Sequence, residues 1–175
     1  MTQSPIDAYR QMALNNAWSN ATLYSAIEGM SDADFAAPRP GFFGSLRSTL
    51  NHILDADQYF LNVLEKGDLG RSMFFEPEIE DVVSLANEQT QADIRLASFC
   101  STLTPDTLLE QRQTVRREGP MTERIDALLL QLFQHQIHHR GQAHVQVQHA
   151  GIAPPQLDEF HLTYGRAPSA QAYFA

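Results

Sequence analysis

Cysteine and basic side chains are scarce in this 175-residue sequence. A single cysteine, Cys100, excludes an internal disulfide and fits a reducing compartment. Only 12 Lys and Arg residues stand against 21 Asp and Glu residues, which gives a formal net charge of −9 at pH 7. Because phosphate binding needs clustered cations and the arginines are scattered along the chain, we expect no nucleic-acid partner.

Long hydrophobic runs are absent as well. No apolar stretch approaches the ~18 residues that a membrane-spanning helix needs, so we expect no membrane partner. The N-terminal residues lack the basic start and apolar block of a signal peptide, which predicts a cytoplasmic location. Hydrophobic residues nevertheless make up 43% of the chain. This content excludes a disordered chain and, with the length, predicts one folded domain over residues 1–175.

Apolar residues recur at helical spacing in four segments of the sequence. The approximate bounds of these segments are 5–29, 45–66, 80–103 and 122–150. Thr122 is the expected N-cap of the fourth segment, since its side chain can accept a hydrogen bond from the first helical turn. The pattern predicts an all-α fold, a bundle of four helices.

The connections between these helices are long, roughly residues 30–44, 66–79 and 104–121. Loops longer than ~12–15 residues are uncommon and often have a function. No period-two alternation is long enough to predict a sheet, and the best strand candidate is Leu109–Arg116. The connection over 66–79 can span a helix length, so the second and third helices need not be antiparallel.

Histidine is the most informative residue type. Five of the seven histidines lie between positions 135 and 149, on the fourth predicted helix. His135 and His139 are four residues apart, so they share one helix face and can bind one metal ion together. A third ligand must come from elsewhere, and His52 is the histidine of the second helix. If these two helices are antiparallel, the three side chains lie at similar depth in the bundle.

Other interpretations are possible from spacing alone. Paired histidines on a polar helix face often bind no metal. If they do bind one, imidazole ligands suit Zn, Ni, Fe or Co. A zincin protease is disfavoured because Gln136, and not Glu, follows His135. A di-iron carboxylate bundle is disfavoured because the fourth helix has no carboxylate after Asp126. Cys100 has no neighbouring base and is expected in the core. The remaining histidines are expected to bind no metal: His138, His144, His149 and His161.

Three stretches of the chain resemble the DinB-like family of small helical metalloproteins. The run HQIHHRGQ at residues 135–142 resembles the family's H-x-x-H-H-R-G-Q motif. Residues 41–45 and 50–54 resemble its first-histidine segment, and residues 151–158 resemble the turn that follows its last helix. These matches extend over about residues 40–160, which is nearly the whole chain.

The resemblance implies a four-helix bundle in up-down-down-up order that forms a homodimer. It also implies a divalent metal ion, usually Zn or Ni, on His52, His135 and His139. Three protein ligands leave coordination positions open, as they do in catalytic zinc sites. The expected function is a metal-dependent enzyme acting on a small molecule, either as a transferase or isomerase that uses a low-molecular-weight thiol, or as a hydrolase. The alternative is a non-catalytic, stress-related metal-binding protein.

Residues close to the three histidines have expected roles of their own. Gln142 follows His139 by three residues and is expected to contact a ligand or a bound molecule, as is Tyr59 from the second helix. Arg140 is expected to form an ion pair inside the bundle or to contact an anion. Gly141 either allows the close approach of another backbone or is incidental, and it costs the helix ~1 kcal/mol relative to alanine.

The site is expected to open at one end of the bundle. That end holds the start of the second helix and the C-terminal half of the fourth. Phe42, Phe43 and Tyr59 would then form an apolar rim around a small organic substrate that is anchored at the metal.

Overall fold

The computed structural model describes residues 5–116 and 118–174. In this part of the chain, four long helices form a bundle, and short elements fill the connections between them. The helices are α1 Pro5–Ile27, α2 Asp32–Ala36, α3 Leu46–Leu64, α4 Val82–Ser101, α5 Pro105–Leu109 and α6 Ile125–His149. The strands are β1 Gln111–Arg116 and β2 Gly119–Arg124, and two 3₁₀ turns span Ser72–Phe75 and Pro168–Phe174. The predicted helical fold class is confirmed, with one small sheet added to it.

Polar side chains begin two of the long helices close to the predicted positions. The Ser45 hydroxyl accepts a hydrogen bond from the N–H of Ser48 at the start of α3. The Asp81 carboxylate accepts one from the N–H of Ser84 at the start of α4. Each bond satisfies a backbone donor that a first helical turn leaves free. The start at Ser45 places His52 about two turns into α3.

The connection before α6 is a β-hairpin, so two sequence-based expectations were wrong. No sheet was expected, and a helix was expected from Thr122, but Thr122 lies in β2 and pairs with Gln113 of the antiparallel strand β1. The strand candidate 109–116 does overlap β1. Alternation is weak here because Thr114 is buried while the other side chains of both strands are exposed or half-buried. As a result α6 begins at Ile125, without a side-chain cap.

The helices α3 and α6 pack side by side in opposite directions. Gly41, just before α3, lies against Gln146 near the end of α6, and further along α3 His52 contacts His135. Gly41 has a φ of +143°, and a Cβ at this position would lie 2.7 Å from Gln146 Nε2. The positive φ favours glycine where the chain enters α3, and a side chain there would also displace the Gln146 amide.

The helices α3 and α4 run in the same direction. Asn51 Nδ2 donates to Ile79 O at 3.0 Å just before α4 begins, and Arg95 Nη2 donates to Glu65 Oε2 at 2.6 Å where α3 has ended. The connection between the two helices therefore returns along the length of α3. This arrangement accounts for the length of the connection over 66–79.

Apolar side chains from all four long helices fill the core. Leu23 and Ile27 of α1 contribute to this core. Leucines and an isoleucine of α3, α4 and α6 form most of the rest: Leu50, Ile53, Leu61, Leu64, Leu85, Leu96, Leu128, Leu129 and Leu132. Cys100 is fully buried among them, as expected, and burial raises the pKa of its thiol to about 12. A thiol with this pKa is not a nucleophile at neutral pH. Among the described residues, no helix is long and apolar enough to cross a bilayer.

A buried polar network centred on Arg140 joins α6 to α1 and α4. The Arg140 Nη1 group donates to Asn16 Oδ1 at 2.8 Å, to Asn20 Oδ1 at 2.9 Å and to Gln136 Oε1 at 3.2 Å. Asn16 and Asn20 in turn donate through Nδ2 to Asp93 Oδ1, both at 3.0 Å. Side-chain amides therefore separate the guanidinium group from the carboxylate, and among the described residues Arg140 forms no direct ion pair.

Asp57 extends this network to α3, so that all four long helices take part in it. Gln89 Nε2 donates to Asp57 Oδ2 at 2.8 Å, and Gln136 Nε2 donates to the same oxygen. Burial raises the pKa of Asp57 to about 6, and burial together with the charge of Asp57 raises the pKa of Asp93 to about 7. Burial lowers the pKa of Arg140 to about 10, so its guanidinium group is still protonated at neutral pH.

The raised pKa of Asp93 predicts a pH-dependent stability. Folding favours the protonated acid, so its contribution is complete below the ordinary pKa of 3.8 and is lost as the pH rises to about 7. In the Asp93→Asn variant, the side chain at position 93 is uncharged at every pH. We expect the unfolding free energy of wild type relative to this variant to fall by roughly 4 kcal/mol between about pH 4 and about pH 8.

Urea denaturation of both proteins across this pH range measures the difference. The histidines titrate in both proteins, so their contribution cancels. The exposed Asp68 provides a matched control, because replacing an exposed surface side chain is expected to change stability little. A wild-type advantage that rises with pH would contradict the assignment.

Candidate metal centre

Three histidines from two helices meet in the groove between α3 and α6. His52 lies on α3, and His135 and His139 lie one turn apart on α6. Ring nitrogens of the three side chains all lie within 4.8 Å of one another. The structure therefore brings together the three residues that the spacing and the family resemblance select as ligands.

The distance between two of the rings suits a shared ion. His52 Nε2 lies 3.0 Å from His135 Nε2. Two nitrogens that each lie ~2.0–2.1 Å from one zinc ion are separated by roughly 3.0–3.4 Å, depending on the coordination angle. A separation of 3.0 Å also fits a hydrogen bond between the two rings, so the distance is compatible with a shared divalent cation and does not require one.

The protonation of the histidines also fits a metal. Burial is the largest cause that lowers their pKa values, to about 4 for His52 and to about 3 for His135. Repulsion from neighbouring histidines adds to the effect, and burial lowers the pKa of His139 too. All three rings are therefore neutral at neutral pH, as imidazole ligands must be.

Gln142 orients one of the three rings. Its side-chain oxygen Oε1 lies 3.1 Å from His139 Nδ1, and its Nε2 lies 3.1 Å from Nε2 of the exposed His138. A hydrogen bond from His139 Nδ1–H to the amide oxygen leaves the Nε2 lone pair free for a metal, which is how ligating histidines are commonly held. Gln142 therefore lies where a residue supporting the site is expected.

The other histidines make unrelated contacts. His144 Nε2 lies 2.9 Å from the carbonyl oxygen of Pro155, and His161 packs edge-on against Phe160. Within the described residues, neither these two nor His138 belongs to the three-histidine cluster. In the described part of the chain, the cluster therefore offers three candidate ligands, and no further His, Cys, Asp or Glu side chain joins them.

Phe43 covers one side of the histidines. The centre of its ring lies 4.2 Å from that of His52 and 5.4 Å from that of His139. Phe42 contacts the edge of Phe43 and is itself 81% exposed. The segment before α3 thus shields the histidines on this side.

A cavity of about 340 Å³ reaches His52 and His135 from the opposite side. Its walls include Tyr59 of α3, Phe74 of the 3₁₀ turn and Val115 of β1. Phe42 and Phe43 lie beside the histidines without lining this cavity, so Tyr59 is the one of the three expected rim residues that borders it. The hairpin and the 3₁₀ turn, which periodicity did not predict, build part of its wall.

Tyr59 lines this cavity, although it does not share a rim with the two phenylalanines. Its hydroxyl group donates to Val115 O at 3.0 Å and accepts from Val115 N at 3.1 Å. These two bonds hold the hairpin over the cavity.

Arg71 and Arg116 also line this cavity, and sequence reasoning missed both. The available signal was the unusual length of the two connections that contain them.

The glycine and arginine of the histidine motif also have definite positions. No heavy atom lies within 4 Å of a Cβ built on Gly141, which excludes the close approach of another backbone. Arg140 contacts side-chain amides, where an ion pair or an anion contact was expected.

The fold and the cluster together define a class of protein: a bundle of four long helices with a candidate metal centre between two antiparallel helices. The family model of the DinB family matches residues 1–169 of the sequence. The chain therefore belongs to the DinB family.

Two crystal structures of DinB-like proteins share this fold. The protein from Bacillus cereus is 20% identical with a TM-score of 0.61, and the match covers 79% of this chain and 90% of that one. The protein from Bacillus subtilis is 22% identical with a TM-score of 0.58, and the match covers 81% of this chain and 92% of that one. At these identities the likeness establishes the fold alone. Among curated proteins, none matches the sequence.

Proposed function

We propose that this DinB family member is a divalent-metal-dependent enzyme that acts on a small molecule. The observation that carries the proposal is the convergence of three neutral imidazoles beside an open cavity. His52, His135 and His139 would hold the ion, with Zn or Ni the metals that the family resemblance favours. Three ligands without a fourth leave room for a substrate, which is the pattern of catalytic rather than structural zinc sites.

The favoured reaction is a transfer or isomerisation that uses a low-molecular-weight thiol. The bound ion would supply a Lewis acid that lowers the pKa of a thiol or of water. The cavity offers little for general-base catalysis, because Glu118 is the carboxylate that lines it and this residue is exposed. Hydrolysis is therefore the second choice, and a non-catalytic metal-binding role is the third.

The chain's own residues would position the reactants. Gln142 would hold His139 in the tautomer that presents Nε2 to the ion, and Phe43 keeps water away from one side of the histidines. Arg71 and Arg116 line the cavity, and within the described residues neither has an acidic partner. Their guanidinium groups would bind a carboxylate of the thiol or of its electrophilic partner.

Two histidine variants test the metal centre. His139→Ala removes a ligand, and we expect it to lose stoichiometric binding of Zn or Ni. His149→Ala is the matched control, because His149 lies in the last turn of α6 outside the cluster, and it should bind like wild type. Calorimetric titration with each metal measures the stoichiometry. Equal binding by wild type and His139→Ala would contradict the ligand assignment.

A screen of the metal-loaded protein tests the chemistry. We expect turnover with low-molecular-weight thiols and electrophilic substrates, and little with esters or amides. His139→Ala should abolish turnover through metal loss, while Arg116→Gln should mainly raise KM for anionic substrates. Turnover of esters or amides alone would support hydrolysis. Metal binding without any turnover across the screen would favour the non-catalytic role.

We also propose that the chain forms a homodimer in the cytoplasm. The support is the family resemblance, together with the exposed apolar side chain of Leu130 on α6. Sedimentation at micromolar concentration should give twice the chain mass of 19.6 kDa. A mass equal to one chain would contradict the dimer.

A further inference from the structure

A second cavity lies on the face of α6 opposite the histidines. It has a volume of about 520 Å³ and lies between α1, α6 and the segment 155–161. We call it the Arg140 pocket, and its lining residues include Ile137, Arg140, Gly141, Leu157, Asp158 and His161. The Asp158 side chain is exposed, and its carboxylate accepts a hydrogen bond from the Gln156 amide. Positions 137, 141 and 144 lie roughly 180° around the helix from positions 135, 139 and 142. The pocket is therefore separate from the candidate metal centre.

Arg140 gives this pocket a buried positive charge. The residue is only 5% exposed, yet it forms part of the pocket wall. Its three hydrogen bonds to side-chain oxygens all use Nη1. Within the described residues, its Nε and Nη2 groups donate to no acceptor. An arginine that keeps this edge free can bind a carboxylate with two parallel hydrogen bonds.

The two buried acids, Asp57 and Asp93, form no direct hydrogen bond with Arg140. Asp93 is reached through the amides of Asn16 and Asn20, and Asp57 through the amide of Gln136. Burial raises the pKa of Asp93 to about 7, so this acid is about half protonated near neutral pH, whereas Asp57, with a pKa of about 6, is mostly ionised. The guanidinium group of Arg140 is therefore not neutralised by a direct partner.

Gly141 keeps the pocket open. A Cβ at this position would meet no heavy atom within 4 Å, so packing does not require glycine here. A side chain at position 141 would instead extend into the pocket that the residue lines. Ile137, which is 48% exposed, and Leu157 supply apolar walls. The contact of His144 with Pro155 O holds the C-terminal segment against α6 at 2.9 Å.

We propose that the Arg140 pocket binds a small organic carboxylate with an apolar body. The carboxylate would pair with the free Nε and Nη2 edge of Arg140, and the apolar part would lie against Ile137 and Leu157. A mostly apolar cavity with a few convergent polar groups is the usual form of a small-molecule site. The proposal does not depend on the function of the three histidines.

Benzoate is the probe that tests the pocket, with benzamide as its neutral analogue of the same shape. Calorimetric titration of the zinc-loaded protein should detect benzoate binding. The dissociation constant for benzamide should be at least about tenfold higher than that for benzoate. In ¹⁵N-labelled protein, benzoate should shift the Nε–H resonance of Arg140. This spectroscopic readout needs no variant that alters the core.

Two glycine variants and one histidine variant locate the binding. Gly141→Leu should abolish benzoate binding by filling the pocket, whereas the smaller Gly141→Ala should retain most of it. His139→Ala should bind benzoate like wild type, because the pocket lies across the helix from the metal. Loss in His139→Ala with retention in Gly141→Leu would place benzoate on the ion and overturn the proposal. Absence of binding to wild type, or an unmoved Arg140 resonance, would overturn it as well.

Discussion

The buried charge of Arg140 is the constraint on which the rest of the bundle depends. A guanidinium group in the core needs oxygen acceptors, and they come from α1 and from α6 itself. Those amides bind Asp93 of α4, and Gln136 binds Asp57 of α3. A shift of any long helix along its axis would break part of this network. The network therefore sets the relative heights of the helices that carry His52 and His135.

Two faces of the helix α6 border different sites, because the 3.6-residue period directs neighbouring positions to different sides of the helix. Positions 135, 139 and 142 face α3 and form the histidine site, while positions 137, 141 and 144 face α1 and the C-terminal segment. Arg140 and Gln136 lie between these faces and point into the core. This explains how the compact motif HQIHHRGQ combines two candidate metal ligands, a buried structural cation and a glycine with open space beside it within eight consecutive residues.

The long helices were predictable because each presents a continuous apolar stripe to the core. The hairpin was not, because its strands lie on the surface and Thr114 is their only fully buried side chain among the described residues. A strand pair without an apolar face leaves no period-two signal. Part of the wall of the cavity beside the histidines was missed for the same reason. It is formed by the hairpin and by the 3₁₀ turn at Ser72–Phe75.

The sequence by itself determined the helical class and the three candidate ligands. Helical spacing is a local property, and the two histidines of α6 share a face whatever the rest of the chain does. Only the tertiary structure decided that His52 reaches them, which residues border the cavity beside them, and that Arg140 lines a second cavity. Those outcomes depend on contacts between residues far apart in the chain, which local periodicity does not encode.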